Sequence, residues 1–275
     1  MGLINVFGGS GFVGGRFCEL TPNVVVNDRD DYQVKTNNIL YFISTIDNYN
    51  VYTDPFIDIE TNLTTLIKTL ETIGSSTVGH VTFNFISSWF VYGTTPLPAR
   101  ESAICDPKGF YSITKRTAEQ LLISYCETFG LNYRILRLAN ILGPQDKKVS
   151  TKKNALQYMI NRLKNNEDVG LYDGGNTYRD YLYVDDCVDA INLILEKGEL
   201  NTIYNVGSGH PAYLGKVINY TKEKLNSTSN IYDIPPAQFH NTVQVKNMVL
   251  ETSKLHHLGF RPKHDIYDII DILIK

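Results

Sequence analysis

The sequence contains little cysteine and no excess of charge of either sign. Its 275 residues include four cysteines, which lie far apart and match neither a disulfide framework nor a metal-ligand spacing. We therefore predict reduced thiols, no metal site and a cytoplasmic location. The 26 Lys and Arg residues are balanced by 29 Asp and Glu residues. This balance lacks the basic excess that binding to DNA or RNA requires, so no nucleic-acid partner is predicted.

Long hydrophobic runs are also missing. The longest stretch without Asp, Glu, Lys or Arg covers residues 72–99, and glycine, serine, asparagine and histidine interrupt it. A membrane-spanning helix needs about 20 predominantly apolar residues, so the sequence predicts no contact with a membrane. The first residues, MGLINVFGG, have no basic leader and only a short apolar run, which is not the pattern of a signal peptide.

Short β-branched or aromatic runs alternate with longer amphipathic stretches along the chain. Strands are predicted at residues 3–7, 24–27, 39–43, 81–86, 133–138 and 203–206, and helices at 12–20, 61–72, 111–129, 154–165 and 184–196. Strands and helices that alternate in this way are typical of βαβ units. The sequence therefore predicts the α/β class with a mainly parallel, doubly wound sheet.

A glycine-rich turn follows the first predicted strand. Gly8, Gly11 and Gly14 have the spacing GxxGxxG at the start of the first predicted helix. Glycine at these positions permits a tight turn, lets a pyrophosphate approach the backbone and lets the helix pack closely on the sheet. The N–H groups at the helix start, those of Phe12 and Val13, would hold the anion. This context predicts a Rossmann-like dinucleotide site, with a purely structural turn as the alternative.

The end of the second predicted strand bears on which dinucleotide is bound. Asp28 lies where an acid accepts hydrogen bonds from the adenosine ribose, and it would repel a 2′-phosphate. Arg29 beside it could instead pair with that phosphate. We therefore predict NAD as the cofactor, with NADP possible. Ser44, after the third predicted strand, is a further candidate contact to the cofactor.

A tyrosine and a lysine, Tyr111 and Lys115, lie four residues apart in the helical stretch YSITK, and so share one face of the helix. An ammonium near a phenol lowers the pKa of the phenol, which permits proton exchange near neutral pH. Pairs with this spacing also arise by chance on amphipathic helices. Ser88 strengthens the catalytic interpretation, because it follows a predicted strand at the sheet edge where ligands bind.

The glycine loop, the serine and the YxxxK pair, in this order and spacing, resemble an extended short-chain dehydrogenase/reductase of the NAD-dependent epimerase/dehydratase family. Members of this family modify nucleotide sugars. Further along the chain, Asn62 in DIETNLTTL and the segments RLANILGP, YRDYLYVDD, YNVGSG and ETSKLHHLGFRP resemble family landmarks. The resemblance extends along most of the chain.

The resemblance implies a hydride mechanism on a nucleotide-diphosphate sugar. Tyr111 would deprotonate a sugar hydroxyl while hydride leaves the same carbon for the nicotinamide. Lys115 would bind the nicotinamide ribose and tune Tyr111, and Ser88 would hold the reacting oxygen. Asn140 and Arg179 would grip the diphosphate. The remaining candidate substrate contacts are Trp89 and His240.

Three features depart from the family pattern. Trp89 and Phe90 stand where sugar dehydratases carry an acidic pair, so 4,6-dehydratase activity is not expected. Only about ten residues separate Asp28 from the next predicted strand, too few for a crossover helix and a strand. We therefore predict that the usual third strand is missing and that the adenine is more exposed. His240 stands near the place of a second diphosphate-binding arginine, with Lys246 as another candidate.

These observations predict a nucleotide-sugar epimerase that transiently oxidises a carbinol, at C4. A 4-ketoreductase with the same residues is the alternative, and a non-catalytic dinucleotide sensor is a distant third. Residues 1–145 would form the dinucleotide-binding domain, re-entered near 179–207. Residues 146–178 and 208–275, less regular after residue 209, would form a small substrate-binding lobe. By resemblance, the helices at 61–72 and 111–129 would pair with those of a second copy in a homodimer.

Overall fold

The computed structural model describes residues 2–46, 48–73, 81–147, 149–150, 153–236 and 238–275. Its strands are β1 (Ile4–Phe7), β2 (Val24–Val26), β3 (Asn38–Tyr41), β4 (Thr82–Ser88), β5 (Asn132–Leu138), β6 (Asn140–Leu142), β7 (Val169–Tyr172), β8 (Tyr178–Tyr183), β9 (Thr202–Val206), β10 (Pro211–Tyr213) and β11 (Ile231–Ile234). Its α-helices are α1 (Phe12–Leu20), α2 (Phe56–Ile59), α3 (Thr65–Glu71), α4 (Phe110–Phe129), α5 (Ala155–Lys164), α6 (Val184–Lys197), α7 (Leu214–Leu225), α8 (Gln238–Val243), α9 (Ser253–His257) and α10 (Ile266–Leu273).

The main sheet has six strands in the order β2-β1-β3-β4-β5-β9, and every pairing is parallel. Successive side chains of a strand point to opposite faces. Ile4 and Val6 of β1 pack in one apolar cluster with residues of α1 and α6, whereas Phe7 packs in another with residues of α3 and α4. Helices therefore cover both faces, and the predicted doubly wound, Rossmann-like fold is confirmed.

Between β2 and β3 the chain forms a loop without helix or strand, and β2 is the edge strand. Two buried asparagines hold this loop. The amide of Asn5 donates to Asn27 Oδ1 (2.6 Å) and accepts from the N–H of Lys35 (2.7 Å), and Asn27 donates to the carbonyl of Gln33 (2.8 Å). The usual third strand is missing from residues 28–37, as predicted, because this interval is too short for a crossover helix and a strand.

The helix predicted at 61–72 begins earlier and is not uniform. It starts as α2 at Phe56, passes through a π-helical segment, Glu60–Thr64, and ends with α3 at Glu71. Such π-helical turns are frequent at functional sites. The segment contains Asn62, which is buried and hydrogen-bonds to residues of two other elements.

The chain after Gly209 is more regular than predicted. The described residues of this part form two strands and four helices, and β10 joins β8 and β6 in a second sheet while β11 pairs with β7. The expectation of irregular structure was wrong because two helical signals were overlooked. Asp265 caps α10 by accepting from the N–H groups of Tyr267 and Asp268, and Val217 and Ile218 give α7 a buried face.

All four cysteines are free thiols. Among the residues that the structure describes, no helix is long and apolar enough to cross a bilayer.

Candidate active site

The glycine loop has the geometry of a phosphate cradle. Gly8 adopts a φ of +80°, which glycine accepts without strain. A Cβ at Gly14 would lie 2.4 Å from the carbonyl oxygen of Gly8, so no larger residue fits there. Gly11 provides no side-chain cap to α1, which leaves the N–H groups of Phe12 and Val13 for an anion. The loop therefore fits a dinucleotide pyrophosphate.

The other predicted cofactor contacts lie along the same sheet edge. Asp28 and Arg29 are exposed in a turn that the N–H of Asp31 closes on the Asp28 carbonyl (3.2 Å). Ser44 is half-buried, and its hydroxyl donates to the side-chain oxygen of Asn62 (3.1 Å). Their roles toward a cofactor stay predictions.

Helix α4, which carries Tyr111 and Lys115, touches the chain on both sides of Ser88, at the end of β4. Lys115 Nζ donates to the carbonyl of Ile86 (2.7 Å), two residues before Ser88. The ring of Tyr111 meets the edge of Phe90, two residues after Ser88, with centroids 5.8 Å apart. Ser88 thus lies between the two points at which α4 touches this segment. It is also the last residue of β4, and its hydroxyl accepts from the N–H of Phe90 (3.3 Å).

Asn62 connects α4 with the chain that follows β3. Its amide nitrogen donates to Thr45 Oγ1 (2.8 Å) and Thr114 Oγ1 (2.9 Å), and its oxygen accepts from the N–H of Thr45 (2.9 Å). Thr114 directly precedes Lys115. One buried amide therefore fixes the chain after β3 against α4.

Lys115 is almost completely enclosed. Only 2% of it is exposed, and its ammonium lies 4.1 Å from the ring centroid of Phe85. Burial lowers the pKa of Lys115 to about 7, and the negative charge of Glu119 opposes that shift. At neutral pH the group is therefore close to its titration midpoint.

Lys115→Met is expected to stabilise the ligand-free protein by about 4–5 kcal/mol below pH 7, the free energy that corresponds to the lowered pKa. The folded-state pKa of Lys115 lies below its unfolded value, so folding opposes protonation. The free-energy cost of burying the charged lysine is fully present below about pH 7. It declines as the pH rises toward the unfolded pKa of about 10.4. Urea unfolding at pH 6 and pH 9 should show a smaller gain at the higher pH. Lys197→Met, at an exposed lysine, should show no such dependence, and an equal gain at both pH values for Lys115→Met would contradict this account.

Sequence reasoning missed a buried ionic network behind this edge. Glu119 accepts two hydrogen bonds from Arg137 (2.9 and 2.7 Å), one from Ser87 (2.6 Å) and one from Arg116 (2.8 Å). Burial alone would raise the pKa of Glu119, but these hydrogen bonds and the charge of Arg137 hold it below its usual range. A signal was present, because Glu119 follows Lys115 by four residues and so lies on the same helical face.

Arg179 and His240, two of the predicted substrate contacts, share one neighbourhood. Arg179 donates to the carbonyls of Val245 and Lys246, and its guanidinium carbon lies 5.5 Å from the ring centroid of Trp89. Burial and the charge of Arg179 both lower the pKa of His240, whose ring packs on Tyr172 at 4.6 Å.

Asn140 and Lys246, two further candidate substrate contacts, bind other parts of the protein. Asn140 donates to the carbonyl of Asp180 (3.0 Å), and Lys246 pairs with Asp173. Asp180 itself is buried and accepts from the backbone of Ser208, Gly209 and Leu250, so it joins β8 to two later loops.

Residues 38–207 match the model of the NAD dependent epimerase/dehydratase family, which covers more than half of the chain. The chain belongs to this family. The match begins after the loop that replaces the third strand.

Relatives in the family differ in activity. The chain is 37% identical over 110 residues to the dTDP-D-glucose 4,6-dehydratase of Dictyostelium discoideum, a segment covering 40% of this chain and 24% of that protein. It is 27% identical over 186 residues to the dTDP-4-dehydro-6-deoxyglucose reductase of Escherichia coli, covering 67% of this chain and 57% of that protein. The chain thus spans less than two thirds of the length of both relatives.

The fold agrees with a solved structure over the full chain. The UDP-glucose 4-epimerase of Thermotoga maritima, solved with UDP-glucose, superposes with a TM-score of 0.85 and 22% identity. The match covers 100% of this chain and 97% of that one.

Proposed function

We propose that the protein is an NAD-dependent nucleotide-sugar epimerase that transiently oxidises a sugar carbinol at C4. The observation that carries the proposal is that Lys115 and Tyr111 of α4 contact Ile86 and Phe90, the residues two before and two after Ser88 at the end of β4. The glycine loop, which follows β1, lies at the same carboxyl edge of the parallel sheet. Ligands of doubly wound sheets bind outside this edge.

The three residues have different roles in the proposed reaction. Ser88 Oγ would hold the reacting oxygen, and Tyr111 would remove its proton and later return it. Lys115 would hold the nicotinamide ribose, and its ammonium would favour the phenolate of Tyr111 by charge. A bound nicotinamide would supply the hydride acceptor.

The cofactor proposal rests on the glycine loop and on Asp28. The loop leaves the N–H groups of Phe12 and Val13 at the start of α1 for a pyrophosphate, and the acid after β2 favours a free ribose hydroxyl, hence NAD. NADP stays possible, because the exposed Arg29 could pair with a 2′-phosphate.

A 4-ketoreductase is the second candidate, and the open adenine side favours it. Asp28, Arg29 and Asp30 are exposed, and β2 has no outer neighbour among the described strands. An epimerase keeps its reduced cofactor between two half-reactions, whereas a reductase exchanges it. The Escherichia coli relative with reductase activity gives further support.

The dinucleotide content of the purified protein and its need for added cofactor distinguish an epimerase from a reductase. For an epimerase we expect stoichiometric dinucleotide, released on denaturation and assayed enzymatically, and turnover without added cofactor. An empty site together with turnover that depends on added NADH or NADPH would establish the reductase instead. If the protein neither binds a dinucleotide nor converts any nucleotide sugar, both proposals fail.

We also propose that 4,6-dehydration is not among its activities, although the Dictyostelium discoideum relative is a 4,6-dehydratase. Trp89 and Phe90 carry no group that can transfer a proton to a leaving hydroxyl. Production of a 4-keto-6-deoxy sugar from dTDP-glucose or UDP-glucose would contradict this proposal.

We propose that the substrate contacts the lobe of residues 146–178 and 208–275 through His240 and the neighbouring domain through Arg179. Arg179 is suited to bidentate contact with a phosphate, and His240 lies close enough for their charges to interact. Asn140 and Trp89 complete the proposed contacts, and a nucleotide-diphosphate sugar is the proposed ligand, like the UDP-glucose of the Thermotoga maritima structure. The free thiols agree with a cytoplasmic enzyme.

A homodimer is proposed through the helices at 56–71 and α4. Both carry exposed apolar side chains, namely Ile59, Ile67, Phe110, Ile113 and Leu121. Grouped exposed apolar residues are typical of protein interfaces. Sedimentation should therefore give a dimer mass for the wild type and a monomer mass for Ile113→Glu, and a wild-type monomer would contradict the proposal.

A further inference from the structure

Three aromatic rings join the chain after β3 to the proposed substrate-binding lobe. The ring of Phe239, in α8, packs against Tyr49 with centroids 5.1 Å apart, and edge-on against Tyr52 with centroids 4.8 Å apart. Both tyrosines belong to one 3₁₀-helical turn, Asn48–Tyr52. We refer to these three rings as the aromatic latch.

The turn that carries the two tyrosines is fixed to the start of α4. The side-chain oxygen of Asn48 accepts a hydrogen bond from the N–H of Ser112 (3.3 Å), the residue after Tyr111. A Cβ at Gly109 would lie 2.0 Å from the same oxygen, so the turn and the helix start are in close contact. One side of the latch is therefore fixed next to the proposed acid–base residue.

The segment that carries Phe239 also covers Arg179. We refer to residues 238–247, which comprise α8 and the chain directly after it, as the lid. The lid carbonyls of Val245 and Lys246 accept hydrogen bonds from the guanidinium of Arg179. They occupy donors that the proposed function assigns to the substrate diphosphate. A phosphate therefore has to displace these carbonyls before it can make a bidentate contact with Arg179.

Core packing does not explain the latch. Phe239 and Tyr49 are only partly buried and Tyr52 is 65% exposed, and none of the three belongs to an apolar cluster of the described residues. A segment with few buried contacts opens at a small free-energy cost. The latch contacts therefore have a large share in keeping the lid closed, whereas the two sides of the latch stay folded without them.

We propose that the lid is autoinhibitory: the latch holds it over Arg179 in the ligand-free protein, and a nucleoside diphosphate binds only when the lid is open. This inference rests on the proposed function, because it takes Arg179 as the diphosphate contact. A ligand that binds one of two states has its apparent affinity reduced by the fraction of protein in that state. Weakening the latch should therefore tighten ligand binding, whereas loss of an ordinary substrate contact would weaken it.

Calorimetric titration of UDP and of dTDP into the purified protein tests the proposal. We expect Phe239→Ala, which removes both ring contacts, to lower the dissociation constant of at least one of them by about 5- to 100-fold, the equilibrium change that corresponds to two aromatic pairs. Tyr52→Ala should have a smaller effect in the same direction and should add nothing to Phe239→Ala, because its partner ring is already gone.

A matched control lies in the same lobe. Tyr267 of α10 makes an edge-on ring pair with Tyr220 of α7, with centroids 4.7 Å apart, and neither residue is part of the lid. Tyr267→Ala should leave the dissociation constants unchanged. Because Tyr52 is mostly exposed, Tyr52→Ala provides the test even if Phe239→Ala does not fold.

Hydrogen exchange in the ligand-free protein separates the lid from the proposed function. Amide exchange across residues 238–247 should be faster in Phe239→Ala than in the wild type and unchanged in Tyr267→Ala. Unchanged exchange in Phe239→Ala overturns the latch. Faster exchange with unchanged or weaker nucleotide binding overturns autoinhibition and leaves the nucleotide-sugar function standing. If neither nucleotide binds any of these proteins, autoinhibition and the proposed function fail together, and exchange alone decides whether the latch closes the lid.

Discussion

Tyr111→Phe is expected to lower turnover of any accepted nucleotide sugar by about 10²- to 10⁴-fold, the contribution typical of a positioned acid or base. The phenol is the proposed proton carrier, and phenylalanine removes only its hydroxyl. The ring contact with Phe90 is retained, so the helix and the end of β4 should keep their arrangement. Substrate binding should change much less than kcat, and both can be measured by steady-state kinetics and calorimetry.

A matched control lies on the same helix. Tyr125 is in α4, and its hydroxyl donates to the carbonyl of Leu70 (3.0 Å), away from β4. Tyr125→Phe should leave turnover within about a factor of two while costing about 1 kcal/mol of stability. Wild-type turnover of Tyr111→Phe on every accepted sugar would remove Tyr111 from the mechanism.

Arg137→Met is expected to destabilise the protein by about 3–5 kcal/mol. Arg137 is 1% exposed and makes two hydrogen bonds to Glu119, which is 0% exposed. Removing the guanidinium leaves a buried carboxylate with fewer partners, and this desolvation cost dominates. Urea unfolding measures the loss. Arg162→Met should cost less than about 1 kcal/mol, because the side chains of its ion pair with Glu167 are 35% and 49% exposed.

A double variant distinguishes a lost partner from lost packing. Glu119→Leu combined with Arg137→Met removes both charges, so it should be clearly less destabilising than the sum of the two single variants. Additive costs would mean that the buried pair does not act as a unit. Glu119 of this pair also accepts a hydrogen bond from the hydroxyl of Ser87, the neighbour of Ser88, so the single variants should also lower turnover.

The features that sequence alone predicted are those that depend on local spacing. Gly8, Gly11 and Gly14 specify a turn within seven residues, and the YxxxK spacing places two side chains on one helical face. The short interval after Asp28 excluded a third strand by chain length alone, and the structure has none between β2 and β3. The helices after Gly209 were missed, although the cap of α10 at Asp265 was present in the sequence.

The sequence by itself determined the α/β fold, the dinucleotide loop, the absence of the usual third strand and the residues proposed for catalysis. Each of these features depends on neighbours along the chain. The tertiary structure alone decided that Asn5 and Asn27 hold the shortened loop and that Glu119 pairs with Arg137. It also decided that Trp89 and Phe90 connect Tyr111 to Arg179. These contacts join residues far apart in sequence, and their energies depend on burial, which no local pattern specifies.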